Sequence, residues 1–151
     1  MAYIGQNGIA LDKKEGDKKT PEGIFDLGIA FGMNATIDNN KIEYKNIDEY
    51  LYWVDDINSK YYNQLVDSRN INKDWKSAEH LIEYPNEYEY VIEIKSNPEN
   101  KKGKGSAVFL HCSNNKATSG CVAIDKKTMQ ELMNIIDGNA IIIIQGKNKK
   151  E

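Results

Sequence analysis

Phe109-Leu110-His111-Cys112-Ser113-Asn114-Asn115-Lys116-Ala117-Thr118-Ser119-Gly120-Cys121-Val122-Ala123-Ile124 carries three of the chain's four His and Cys residues. The apolar run 107–110 follows the turn Gly103-Lys104-Gly105 and reads as a strand buried on both faces that delivers His111 at its end. Val122-Ala123-Ile124 is an apolar lead-in to a helix that Asp125 caps, with Met129, Leu132, Met133 and Ile136 at i, i+3, i+4 and i+7 and Gly138 as the stop. The four isoleucines 141–144 then read as another buried strand.

Working outward, residues 87–95 alternate, with Tyr88, Tyr90, Ile92 and Ile94 on one side, which predicts a half-buried strand. The polar octet 12–19 predicts a hairpin or wide turn, and residues 96–105 a long surface loop. Residues 46–51 read as a short helical stretch, 50–66 as mixed loop and strand, and 147–151 as a polar tail. The fold class is mainly β with a few helices, in one domain over residues 1–146.

The chain has 151 residues, with 20 Lys and Arg against 23 Asp and Glu, a net charge of −3. A chain of this length builds its own core, so its two cysteines need not be staples. The near balance of charge argues against nucleic acid as a partner. No window approaches the ~20 apolar residues of a membrane span, and the first residues lack a basic segment followed by an apolar stretch.

A cysteine nucleophile needs a base to remove its proton, since a free thiol titrates near ~8.5, and N–H groups to hold the oxyanion its attack creates. Gly120, just before Cys121, lets consecutive N–H groups converge, and His111 is the local base. Three other readings use the same residues. His111 and the cysteines can be packed structural side chains; Cys112 and Cys121 can form a disulfide; His80, His111, Cys112 and Cys121 can be four zinc ligands, although the chain has no Cys-x-x-Cys or His-x-x-x-His spacing.

The segment resembles the L,D-transpeptidases, the YkuD-like catalytic domains that act on bacterial peptidoglycan. The likeness runs in order through Glu15-Gly16-Asp17, Thr20-Pro21-Glu22-Gly23-Ile24-Phe25, Tyr52-Trp53-Val54-Asp55-Asp56, Tyr61-Tyr62-Asn63, Glu79-His80-Leu81, the block from Gly103 to His111, and Thr118-Ser119-Gly120-Cys121. Ser119 stands where the commoner motif has His, Ala123 lies where an Arg or Asn is usual, and the His-to-Cys interval of 121 − 111 = 10 is short, so the chain is similar to a divergent branch.

The resemblance implies a β-sandwich-like fold, Cys121 as nucleophile, His111 as general base oriented by a main-chain carbonyl, and Gly120, Cys121 and Ser119 as oxyanion-hole donors. It also implies substrate contacts from Trp53, Tyr62 and His80. No cofactor or metal is expected. Partners are peptidoglycan stem peptides and carbapenem β-lactams, and the place of action is extracytoplasmic, with any signal or anchor outside this chain. The expected reaction cleaves the L,D bond before the terminal D-Ala through a thioester and forms a 3-3 cross-link. The alternatives are an L,D-carboxypeptidase using water and a non-catalytic wall-binding or zinc domain.

Overall fold

The computed structural model describes residues 1–147. Beyond Lys147, the expected tail lies outside the described residues. The main sheet runs β1 (Ala2–Tyr3), β11 (Val122–Ile124), β10 (Phe109–Cys112), β9 (Tyr90–Ile94), β4 (Gly23–Gly32) and β12 (Ile141–Ile144), with β5 (Tyr44–Asn46) also paired to β4. A three-stranded sheet, β7 (Leu65–Asp67), β6 (Leu51–Val54) and β8 (Ala78–His80), packs on one face of it, and α1 (Lys126–Ile135) on the other. β2 (Ile9–Ala10) and β3 (Thr20–Pro21) pair in parallel, so residues 12–19 form a wide loop and not a hairpin.

Strand parity sorts the core into two layers. Tyr90, Ile92 and Ile94 of β9, Leu110 and Cys112 of β10, and Val122 of β11 join Met129 and Met133 under α1. Val91 and Phe109, one residue out of phase, meet Phe31, Leu51, Trp53, Leu81 and Tyr88 beneath the small sheet. The strand expected at 87–95 is thus buried on both faces, and Tyr88 belongs to the opposite layer from Tyr90.

Asp125 caps α1, accepting from Thr128 N at 3.0 Å. The helix ends at Ile135 without using Gly138. Asn39 Nδ2 instead donates to the carbonyls of Met133 and Ile136 at 2.9 and 2.8 Å, satisfying last-turn acceptors from a distant loop.

Two expectations fail for one reason, which is that pairing is non-local. Residues 46–51 are not helical: Tyr44 to Asn46 pair with β4, Ile47 N donates to Gly32 O at 2.7 Å, and Asp48 turns the chain by accepting from Tyr50 N. β12 is not a buried strand. It pairs only β4, and Ile141 and Ile143 are 53% and 64% exposed.

If α1 seals the sheet, Met129→Ala, at a fully buried position, costs about 2–5 kcal/mol in urea unfolding, whereas Ile141→Ala costs about 1 kcal/mol or less. Equal costs would contradict this layering.

Candidate active site

β10 and β11 pair in parallel, with Leu110 opposite Val122, His111 opposite Ala123 and Cys112 opposite Ile124. Stepping back one residue sets Cys121 beside Phe109, whose N–H donates to Cys121 Sγ at 3.4 Å. Cys121 and His111 therefore project from the same face, two positions apart along the ladder, toward the small sheet. Cys112 projects to the α1 face. Both cysteines are free, and the disulfide reading fails because the sheet lies between them.

The turn ahead of Cys121 is fixed by hydroxyls. Thr118 Oγ1 donates to Cys121 O at 2.6 Å, and Thr20 Oγ1 donates to it at 3.2 Å while accepting from Gly5 N at 2.8 Å. Gly120 has φ +142°, and a Cβ there would stand 3.0 Å from Lys19 O, so the turn requires glycine. Gly120 N–H donates to Thr118 Oγ1 at 3.1 Å.

Cys121 Sγ donates in turn to Ala107 O at 3.3 Å. Ala107 adopts the left-handed φ of 51°, sparsely populated for a residue with a Cβ, and Asn63 Oδ1 holds it there by accepting from Ala107 N at 3.1 Å. Asn63 Oδ1 also accepts from Trp53 Nε1 at 3.1 Å.

Cys121, Gly120 and Ser119 line a cavity of about 200 Å³ with Ala107, Val108, Ser106, Lys13, Glu15, Asp55 and Glu79. Lys13 is nearly buried. Its ammonium bonds Lys14 O at 3.0 Å and the Asp17 carboxylate, and its stem packs against Gly105. Glu15 accepts from Tyr62 Oη at 2.6 Å and from Ser106 Oγ at 2.9 Å. This loop therefore roofs the cavity, with Asp17 clamping the lysine and Glu15 clamping the loop.

His111 is 8% exposed, and its Nδ1 lies 2.8 Å from Cys112 O. A carbonyl only accepts, so Nδ1 carries the proton and Nε2 keeps a lone pair. Trp53, Tyr62 and His80 lie elsewhere. Trp53 stacks in the core on Phe31 and meets Phe109 edge-to-face. Tyr62 is buried behind Glu15 and accepts from Gly105 N at 3.1 Å. His80 lies on the outer face of β8, stacked on Tyr52 at 4.3 Å with Nε2 2.7 Å from Glu49 O.

It is the neighbouring Glu79 that reaches the cavity, because β8 pairs it with the inward Trp53 and His80 with the outward Tyr52. Sequence reasoning missed Glu79 and Lys13, although both lie in or beside quoted motifs. The zinc reading has no geometry behind it: Cys112 is across the sheet, His80 is on an outer face, and no His, Cys, Asp and Glu group among the described residues is arranged for a metal.

Electrostatics favour neutral partners. Burial, then the Glu79 carboxyl, pushes the Cys121 thiol up to about 12 against the pulls of Phe109 N–H and Lys13. Burial moves His111 down, opposed by the Cys112 carbonyl and Glu87. Both shifts disfavour charge, so the pair favours neutral thiol and imidazole.

The family model YkuD, described as the L,D-transpeptidase catalytic domain, matches residues 2–144. Searches of curated proteins and of solved structures each returned no match.

Because ionisation of Cys121 is suppressed, its alkylation by iodoacetamide, followed by peptide mass spectrometry, should be slow at neutral pH. The rate should still be climbing well above the ~8.5 of a free thiol. A plateau at or below about pH 8 would show a thiolate the site does not support.

Proposed function

This chain belongs to the L,D-transpeptidase catalytic-domain family, and from that premise we propose that it is a cysteine L,D-transpeptidase of peptidoglycan tetrapeptide stems with Cys121 as nucleophile and His111 as general base. The observation that carries the reading is the placement of Cys121: a thiol in a cavity, its own carbonyl held by Thr20 and Thr118, on the same sheet face as an imidazole whose Nδ1 is tied to a main-chain carbonyl.

As Cys121 Sγ attacks the carbonyl carbon of the L,D bond, its proton passes to His111 Nε2. The oxyanion takes N–H groups of the turn, from Cys121 and Ser119, with Gly120 N–H redirected from Thr118. The C–N bond breaks, His111 returns the proton to the departing D-Ala amine, and the donor stem stays on Sγ as a thioester. The amine of a second stem displaces the thiol to make the 3-3 cross-link. These steps need no metal or organic cofactor. Because peptidoglycan is the substrate, the reading places the enzyme's action outside the cytoplasm. No described helix is long and apolar enough to cross a membrane.

Intact-protein mass spectrometry after incubation with a disaccharide tetrapeptide, or with a carbapenem, should show one adduct on Cys121. Cys121→Ala should abolish it, His111→Gln should slow its formation about 100-fold or more, and Cys112→Ser should still form it. Adduct formation by Cys121→Ala would overturn the reading. Hydrolysed tripeptide as the sole product would instead identify an L,D-carboxypeptidase.

A further inference from the structure

Glu79 lines the Cys121 cavity and takes no part in the steps above. Strand parity brings it there, since it stands opposite the inward Trp53 while Ala78 and His80 face outward. Tyr88 then fixes it. The Tyr88 hydroxyl donates to Glu79 Oε2, and the same ring meets His111 edge-on at 5.6 Å and Phe109 at 5.7 Å. Carboxyl and imidazole thus share one aromatic support, on the side of the sheet where Cys121 opens. Of the other carboxyls in the cavity, Glu15 is more fully engaged, accepting from Tyr62 and, through both oxygens, from Ser106, while Asp55, like Glu79, accepts from one hydroxyl, that of Ser77, but lacks the aromatic support shared with His111. Tyr88 occupies one Glu79 oxygen from a single direction, which leaves acceptor capacity for an incoming donor.

The second half-reaction has a need that this carboxyl meets. A side-chain amine of an acceptor stem arrives as an ammonium, with a pKa of about 10 like that of lysine, and has no lone pair with which to attack until it loses a proton. We propose that Glu79 is the base that receives the acceptor ammonium and takes its first proton, an assignment that rests on the transpeptidase reading above.

One N–H proton moves to a Glu79 carboxylate oxygen, and the freed nitrogen lone pair attacks the thioester carbon. The C–N bond forms, the C–S bond breaks, and its electron pair returns to Cys121 Sγ. The second N–H proton travels through His111 Nε2 to Sγ, and Glu79 releases its proton to water. Each atom is accounted for: thioester and ammonium become amide, thiol and one proton.

The surroundings suit a base working near neutrality. Burial pushes the Glu79 carboxyl up to about 7, the Tyr88 hydroxyl opposes this, and Asp55 and Glu15 add like charge. Tyr84 also faces it, as does Cys121 across the cavity. The lysine in the cavity roof, Lys13, is engaged by Asp17 and Lys14 O. A base must be ionised to accept, so transfer relative to hydrolysis should rise as pH increases through about 7.

The test follows the fate of the acyl-enzyme. A tetrapeptide donor and an amine-bearing acceptor stem are incubated with the full chain, and cross-linked dimer and hydrolysed tripeptide are separated by mass. Glu79→Gln should lower the dimer-to-tripeptide ratio at least about tenfold and remove its rise with pH. Glu79→Asp, still a carboxylate, should recover part of the ratio, and Tyr88→Phe should shift the rise in pH. A wild-type ratio in Glu79→Gln, or equal loss of both products, overturns the assignment and leaves the transpeptidase reading standing. Absence of any acyl-enzyme in the wild type overturns both.

Discussion

Parallel pairing of β10 with β11 is the constraint from which the site follows. Parallel strands need a crossover, and here residues 113–121 make it without a helix, ending in a turn that Thr118, Gly120 and Thr20 hold shut. Once the register is set, period-two alternation leaves no choice of face. Cys121 and His111 look toward the small sheet, while Leu110, Cys112 and Val122 look toward α1. A slip of β11 by one residue on β10 would turn Cys121 toward Met129 and Met133 and away from the face that His111 occupies. The apolar side chains packed in each layer oppose that slip, so the hydrophobic core protects the relative placement of Cys121 and His111.

A second set of residues holds the cavity open and aimed. Asn63 joins Trp53, Ala107, Asn97 and Asn100 through its side-chain amide, and the left-handed turn it enforces at Ala107 points a carbonyl at Sγ. Tyr62 ties the loop at Gly105 to Glu15 in the roof. Several motif residues thus support the site from behind, and their polar tips are spent on backbone and carboxylate partners.

How much of this was legible in the sequence depended on whether the signal was local. The helix at 126–135 was readable because its 3.6-residue period and Asp125 cap are properties of adjacent residues. The motif around Cys121 was readable as a family likeness, and the family model spans the same chain, whereas the shared sheet face of His111 and Cys121 is set by the register of β10 on β11. Glu79 was not. Whether it or His80 faces inward is decided by the register of β8 on β6, and nothing within Glu79-His80-Leu81 encodes that register. The exposure of Ile141 and Ile143 was likewise hidden, since an isoleucine run looks the same at a sheet edge as at its centre. Residues 46–51 misled because Asn46 makes ladder and loop contacts with partners remote in sequence, while Asp48 makes a local turn by accepting from Tyr50 N.

The reaction proposed here differs from that of a cysteine enzyme with a preformed ion pair. Burial raises the thiol and lowers the imidazole, and the neighbouring Glu79 carboxyl adds to the first shift, so the resting site favours neutral partners, and the proposed attack has to create the charge separation. The most direct test is nitrogen NMR of the His111 ring near pH 7, compared between the wild type and Cys121→Ala. The account predicts a neutral ring protonated on Nδ1 and bare on Nε2 in both proteins. A ring protonated on both nitrogens in the wild type, and neutral once Cys121 is removed, would reveal a thiolate–imidazolium pair and contradict it.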